Sequence, residues 1–429
     1  MSPPKLSFNH RNPWLVMPLL VLLIYGIFLA VQWPLAGKHL FGYISFGHKW
    51  TNASELAIPQ KYIHNESGYD GQCYFRLALD PLSTEDRVQG IRFDNPPWRQ
   101  QRILMPFLTW VIAGGNAELT ATVMLTINLL AIAGITLVGG ALLSSLGLSP
   151  WPALLLAFYP GFAISVERFL TEPLSCLLLL LSLLCLNYKR VAMGGVILAL
   201  AVLARETALA AAVAMAGMWV LQSIFRIKIG NWKAPGAIYW LPAIFTYIAW
   251  QLWLQDHWST SAYLVPVKSN LLVWPFAGII ASFESLISNV SLNNIFFLFM
   301  MVVTFGWAVA VALSFRNSQG PYRWIWLAYL ALATLLGTAI WSNSPGFLRI
   351  TTELNIIGLL VYLSTVKSPH RFVVIAWLGC WLLSAGAEGY RMSLIDKARA
   401  APGTNTTSKV HIELKDPVLK RSIENNVKN

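Results

Sequence analysis

LTATVMLTINLLAIAGITLVGGALLSSL, residues 119–146, runs 28 positions without a charged side chain. A hydrocarbon layer about 30 Å thick is crossed by roughly 20 apolar residues in a helix, so this stretch alone is long enough to span a bilayer. Comparable runs recur from Trp14 to about residue 388. Over its 429 residues the chain is 56% hydrophobic and only 12% charged. Soluble domains average about 25% charged residues, and the deficit fits a protein solvated by lipid. Helices packed in lipid need no aqueous core, so one membrane-embedded bundle is expected rather than several soluble domains. The reading is an all-α polytopic membrane protein of about eleven transmembrane helices.

The first pass covers Trp14–Trp33, behind a basic N-terminus at residues 1–13. The run is longer than a signal-peptide core and reads as a retained anchor. A long polar loop, residues 37–102, follows and is expected to carry short interfacial helices. It holds Glu55, Glu66, Asp70, Asp80, Glu85, Asp86 and Asp94, seven of the 19 acidic residues, and loops this long usually carry function. After an apolar stretch at Ile103–Ala113 comes the pass at Leu119–Leu146. Trp151–Arg190 reads as two passes bent near Val166–Thr171, and Val191–Phe225 as a hairpin interrupted by Arg205-Glu206. Later passes fall at Pro235–Leu254, Asn294–Phe315, Trp324–Trp341, Leu348–Val366 and Phe372–Ser384. Leu271–Leu286, with Pro275 and Glu284, reads as re-entrant or interfacial. Residues 14–388 form the multi-helix domain and 389–429 a polar tail, net basic, whose side the charges leave open.

The net charge of +12 is carried mostly by short links, where Lys189, Arg190, Arg226, Lys228, Lys233, Arg316, Arg323, Lys367 and Arg371 mark the cytoplasmic side. The Asp70 loop, the Glu167–Glu172 bend, the Arg205 tip and the link bearing Arg349 then share the opposite face. No basic stripe interleaved with aromatics and no glycine-rich phosphate loop appears, so no nucleic-acid partner is expected. Cys73, Cys176, Cys185 and Cys380 form no CxxC pair, which argues against a disulfide framework or a metal site.

Asp70 stands between Gly68 and Gly71, a setting that presents a carboxylate on a sharp turn. It can act as a general base, the more so if apolar surroundings raise its pKa, or can cap an amphipathic surface helix that follows. Arg99 and Arg102, three apart, would share a helix face and hold a phosphate, or snorkel from a helix end. Asp94 binds substrate or caps that helix. Glu167 and Glu172 occupy the bend, where Glu172 before Pro173 suits the first turn of a helix. Arg205-Glu206, a charged pair inside an apolar run, points to function or to a local ion pair. Arg349 reads as an anion ligand or as half of an i, i+4 pair with Glu353.

YDGQ at Tyr69–Gln72, RILMP at Arg102–Pro106, ERFLTEPL at Glu167–Leu174 and LARET at Leu203–Thr207 occur in that order. Together they resemble the GT-C superfamily of polytopic glycosyltransferases, especially bacterial relatives of the PIG-V-like mannosyltransferases, over roughly residues 14–366. The resemblance implies transfer of a sugar, with inversion, from a polyprenyl-phosphate donor to a hydroxyl acceptor at the external face of a bacterial plasma (inner) membrane. Asp70 would be the catalytic base. Tyr69, Gln72, Asp94, Arg99, Arg102, Glu167, Glu172, Arg205 and Arg349 would line the substrates, with Arg205 and Arg349 offsetting charge on the lipid phosphate. A divalent cation, Mg or Mn, would be compatible, although the sequence fixes no ligand set. Gly71-Gln72 stands where the PIG-V-like pattern has an aromatic residue and then His, which leaves the acceptor and subfamily open. The alternatives are a transporter or flippase of lipid-linked glycans, or a non-catalytic subunit of an envelope-polymer complex.

Overall fold

A computed structural model describes residues 12–52, 54–55, 58–65, 67–227, 232–262, 270–288, 291–315, 318, 320–342, 344–366 and 368–400. Glu66, Lys228, Arg316, Lys367 and most of the termini lie outside them. The described chain is mostly helical. Its helices are α1 (Pro13–Gln32), α2 (Asp70–Leu79), α3 (Pro96–Gln100), α4 (Leu104–Ala113), α5 (Ala117–Ser145), α6 (Leu154–Ala157), α7 (Pro160–Glu167), α8 (Glu172–Asn187) and α9 (Val191–Ala204). They continue as α10 (Leu209–Ser223), α11 (Ala237–Trp258), α12 (Ala277–Ser288), α13 (Leu292–Ser314), α14 (Tyr322–Thr334), α15 (Thr338–Trp341), α16 (Ser344–Ile350), α17 (Thr352–Leu363) and α18 (Arg371–Ala400). Two minimal sheets brace the first loop: β1 (Phe46–Gly47) parallel to β2 (Ile63–Asn65), and a hairpin of β3 (Arg87–Val88) and β4 (Ile91–Arg92).

Five of these helices, α1, α5, α11, α13 and α18, are long and apolar enough to cross a membrane. Their apolar side chains point outward as well as inward: Leu15, Leu19, Leu23 and Ile27 on α1, and Leu241, Phe245, Ile248 and Leu252 on α11, are all exposed. At helical spacing those form a stripe that only lipid would solvate favourably. The chain is a membrane protein.

The helix ends follow local chemistry. Asn116 caps α5 by accepting from the Leu119 N–H at 3.0 Å. Pro173 sits in the first turn of α8, where its missing N–H costs nothing. α9 stops because Arg205 turns extended, at φ −162° and ψ 128°. The packing places α8 between α5 and α9, α11 against α9 and α10, and α17 across α14, α13 and α8. α18 lies on α7. Both outer ends of the expected Val191–Phe225 hairpin come back to one face. Val191 and Trp232 line one cavity there, and Gln222 bonds the backbone of Trp232 and Ala234.

Four expectations change. α2 is not an amphipathic surface helix, because Gly71–Leu79 are all buried and even Arg76 is enclosed, donating to the carbonyls of Glu85 and Ile91. The expected pass at Trp324–Trp341 is broken at Leu335–Gly337, whose backbone pairs with Leu271 and Val273. The segment from Trp151 to Glu167 is likewise assembled from short pieces rather than one pass. Finally, α18 continues to Ala400, so the first twelve residues of the expected polar tail, 389–400, are helical.

Contact between α9 and α11 depends on small residues, as in lipid generally. A Cβ at Gly195 would stand 2.5 Å from the Ile238 carbonyl oxygen, whereas one at Gly217 would meet nothing within 4 Å. Gly195→Ala is therefore expected to lower thermal stability in detergent by about 1–3 kcal/mol. Gly217→Ala should leave it equal or slightly higher. Equal melting of the two variants would show that this backbone approach does not hold the bundle.

Candidate functional site

Asp70, the bend residue Glu172, the α9 terminus Arg205 and Arg349 come from segments up to 279 residues apart and meet directly. Asp70 is the first residue of α2 and is not spent on capping. One carboxylate oxygen receives Arg99 Nη1 at 2.5 Å, and the other receives Arg349 Nη1 at 2.9 Å, with Arg102 Nη1 at 4.0 Å. Gly71 makes this possible, since a Cβ there would lie 2.1 Å from the Arg168 carbonyl oxygen and force α2 off the bend.

Every guanidinium around Asp70 has a second carboxylate. Arg99 holds Asp94 in a two-point grip at 2.7 and 2.6 Å, Arg102 grips Glu206 at 2.8 and 2.5 Å, and Arg349 reaches Glu172 at 2.8 Å. Behind them lies Arg205, 1% exposed, bonded to the Arg349 carbonyl at 2.8 Å and paired with Glu353 at 3.3 Å and Glu172 at 3.6 Å. The local pairs expected from sequence are exchanged across the fold. Glu206 serves Arg102 instead of Arg205, and Glu353 serves Arg205 instead of its i, i+4 neighbour Arg349. The reason is that a helix end lies at both places, so the side chains turn inward rather than along a common face.

Arg99 and Arg102 do not share a helical face, because α3 ends at Gln100 and α4 begins at Leu104. They converge on Asp70 regardless. Neither snorkels. Glu167 is not part of this network. It joins a second one, in which Arg391 of α18 bonds Glu167 at 2.6 Å and Glu388 at 2.8 Å, while Arg168 grips Glu388. Tyr69 links the two networks. Its ring lies 4.4 Å from the Arg168 guanidinium and 5.1 Å from that of Arg349, and its hydroxyl accepts from Arg349 at 2.9 Å. Gln72 holds the loop, with its amide bonded to the Gly47 N–H and the Ser67 carbonyl.

A cavity of about 130 Å³ opens onto this cluster, lined by Trp50, Ser67, Tyr69, Asp70, Asp94 and Arg99 among others. At about 30 Å³ per water it holds about four waters or one small hydroxylated group. Trp50, Glu388 and Arg391 were missed by sequence reasoning. Trp50 gave no signal, whereas Glu388 and Arg391 follow the same rule as Arg205, being charges in an apolar run.

Burial alone would raise the Asp70 carboxyl, but Arg99, Arg349 and Arg102 outweigh it and hold it well below the ordinary carboxylate range. The elevated pKa expected for an apolar pocket is thus reversed. Asp94 is likewise held low, burial being outweighed by Arg99. A divalent cation does not fit these donors as arranged. The two carboxylates at the cavity both bond Arg99, and no group of three or more His, Cys, Asp or Glu suited to a metal occurs among the described residues.

Two outcomes follow from the paired arrangement. Asp70→Asn should fold, because Arg99, Arg102 and Arg349 each keep another carboxylate, at a cost of about 1–3 kcal/mol. Since a depressed folded pKa stabilises above the unfolded value of about 3.9, the wild-type advantage should persist from pH 8 to 5 and vanish in acid below it. Arg205→Lys should lose stability, because one ammonium cannot span Glu353, Glu172 and a carbonyl; turnover per folded molecule should suffer less than in Arg99→Lys. Thermal melts and activity on the same preparations check both. No family model, curated protein or solved structure matches the chain.

Proposed function

We propose that this protein is a membrane glycosyltransferase of GT-C-like architecture, with about eleven passes, acting at the non-cytoplasmic face of a bacterial plasma membrane. It moves a sugar from a polyprenyl-phosphate donor to a hydroxyl acceptor. The observation that carries the reading is a carboxylate, Asp70, facing a cavity beside a partly accessible arginine: the Asp70 and Arg99 side chains are 20% and 19% exposed.

In the reaction, the acceptor O–H donates to Asp70, its oxygen attacks the anomeric carbon, and the bond from that carbon to the phosphate oxygen breaks. The phosphate leaves with the bonding pair and the proton stays on Asp70. Attack opposite the leaving group inverts the anomeric centre. Arg99 is the cation a donor phosphate reaches first, and Arg102 and Arg349 stand behind it. An Asp held low by three guanidiniums is a weak base at rest. A phosphate that draws N–H groups from Asp70 removes that restraint, so the base strengthens only when the donor is bound. Trp50 offers the acceptor or sugar an apolar face. A flippase would use the same arginines without needing the carboxylate.

Purified protein incubated with a panel of polyprenyl-phosphate sugars should release lipid phosphate with at least one of them. Asp70→Asn should still bind that donor but lose about 10²–10⁴-fold in rate. An Asp70→Asn variant that keeps most activity removes the base. For the free enzyme, kcat/KM for the donor should show no acid limb from Asp70 between pH 5 and 8, while kcat should show one shifted to higher pH. The face is tested separately. The native cysteines are buried, so an impermeant thiol reagent added to intact cells should label Thr84→Cys in the first loop and spare Arg190→Cys; the reverse pattern inverts the topology.

A further inference from the structure

A second cavity, of about 510 Å³, lies at the far end of the bundle. Its walls include Asn187, Lys189, Trp232, Lys233 and Tyr322. α8 carries Glu172 at one end and Asn187 at the other, and its 16 residues rise about 24 Å, so this cavity is remote from the Asp70 cluster.

The two ends of the bundle differ in charge. At the near end Arg99, Arg102, Arg168, Arg205, Arg349 and Arg391 are each answered by a carboxylate. At the far end, Lys189, Arg190, Arg226, Lys233 and Arg323 have no carboxylate partner among the described residues, and the local sequence offers none: no Asp or Glu occurs between Glu118 and Glu167, Glu172 and Glu206, Glu206 and Asp256, or Glu284 and Glu353. The segments lining the cavity all fall within those gaps. Arg323 packs its guanidinium over Phe315 and Trp324, 5.4 and 5.2 Å from their centroids.

A buried donor also faces this space. Ser145 gives its hydroxyl hydrogen to the Leu142 carbonyl at 2.7 Å, and Ser145 Oγ accepts from Asn187 at 3.1 Å. In this arrangement the Asn187 Nδ2 faces inward, and the same Nδ2 donates to the Tyr322 hydroxyl at 2.8 Å. The Tyr322 oxygen is therefore already an acceptor, and its hydrogen has no acceptor among the described residues. Tyr322 is 1% exposed. A buried O–H without an acceptor is costly, and a ligand oxygen would satisfy it.

We propose that this cavity binds a phosphate-bearing anion, with Tyr322 O–H and the Lys189 and Lys233 ammonium groups as donors. A lining that holds lysines and no carboxylate selects for negative charge, the tyrosine supplies a directed hydrogen bond to a phosphoryl oxygen, and Trp232 gives the attached group an apolar wall. Such a ligand is either an anionic lipid headgroup or a free phosphate compound.

Amine-labelling rates read by mass spectrometry on the purified full chain test this, with Lys49, exposed in the first loop, as internal reference. In phosphatidylcholine nanodiscs, in nanodiscs with phosphatidylglycerol added, and in phosphatidylcholine nanodiscs with inorganic phosphate, labelling of Lys189 and Lys233 is compared with that of Lys49. A drop of about threefold or more at Lys189 and Lys233 alone, with phosphatidylglycerol, identifies the headgroup; the same drop with inorganic phosphate identifies the free anion. Tyr322→Phe keeps the ring and should lessen either protection, and Lys233→Gln should lessen it at Lys189. Unprotected lysines in both arms, protection shared equally by Lys49, or full protection in Tyr322→Phe and Lys233→Gln would each overturn the proposal.

Discussion

Glu172 is the residue on which the arrangement of the bundle turns. Fully buried at the start of α8, it answers Arg349 and Arg205, which arrive from two other segments. An ionised side chain taken into a low-dielectric interior is expensive, and removing one partner of a buried pair commonly costs 3–5 kcal/mol because the other charge is stranded. Glu172 therefore does not merely add an attraction. It forbids any packing in which α8, the α9 terminus and α16 fail to meet.

That constraint also explains why so many helices here are short. α8, α9 and α17 have 16, 14 and 12 residues, less than a full span. A continuous helix would satisfy its backbone but could not aim an arginine across its own axis. Breaks at Arg168–Thr171, at Arg205 and at Thr351 free side chains to turn inward, and backbone groups at such a break are met by neighbours, as the Arg349 carbonyl is by Arg205. The convergence of charged side chains and the interruption of helices are two aspects of one solution.

Much of this was legible in the sequence. The apolar runs gave the membrane and the approximate helix positions, and the depth of Arg205 in such a run marked it as costly. The meeting of Asp70, Glu172, Arg205 and Arg349 followed from charge bias in the links. Partner identity did not follow, because nearest-neighbour reasoning assigns Glu206 to Arg205 and Glu353 to Arg349, whereas each glutamate reaches a different arginine in space. Nor did the pKa of Asp70. Its sign depends on how many guanidiniums lie within a few ångström, which no linear spacing encodes. Helix boundaries failed where residues such as Leu335–Gly337 pair with a segment more than sixty positions earlier.

The pairing of Arg168 with Glu388, and of Arg391 with Glu167, has a consequence for biogenesis. Ribosomes deliver the chain from its N-terminus, so α7 is in place long before α18 is made. Until then Glu167 and Arg168 lack their α18 partners in a setting that penalises exposed charge. The nascent protein is consequently incomplete until its last described helix is made, and a chain arrested before Glu388 leaves Glu167 and Arg168 without the charges that α18 supplies.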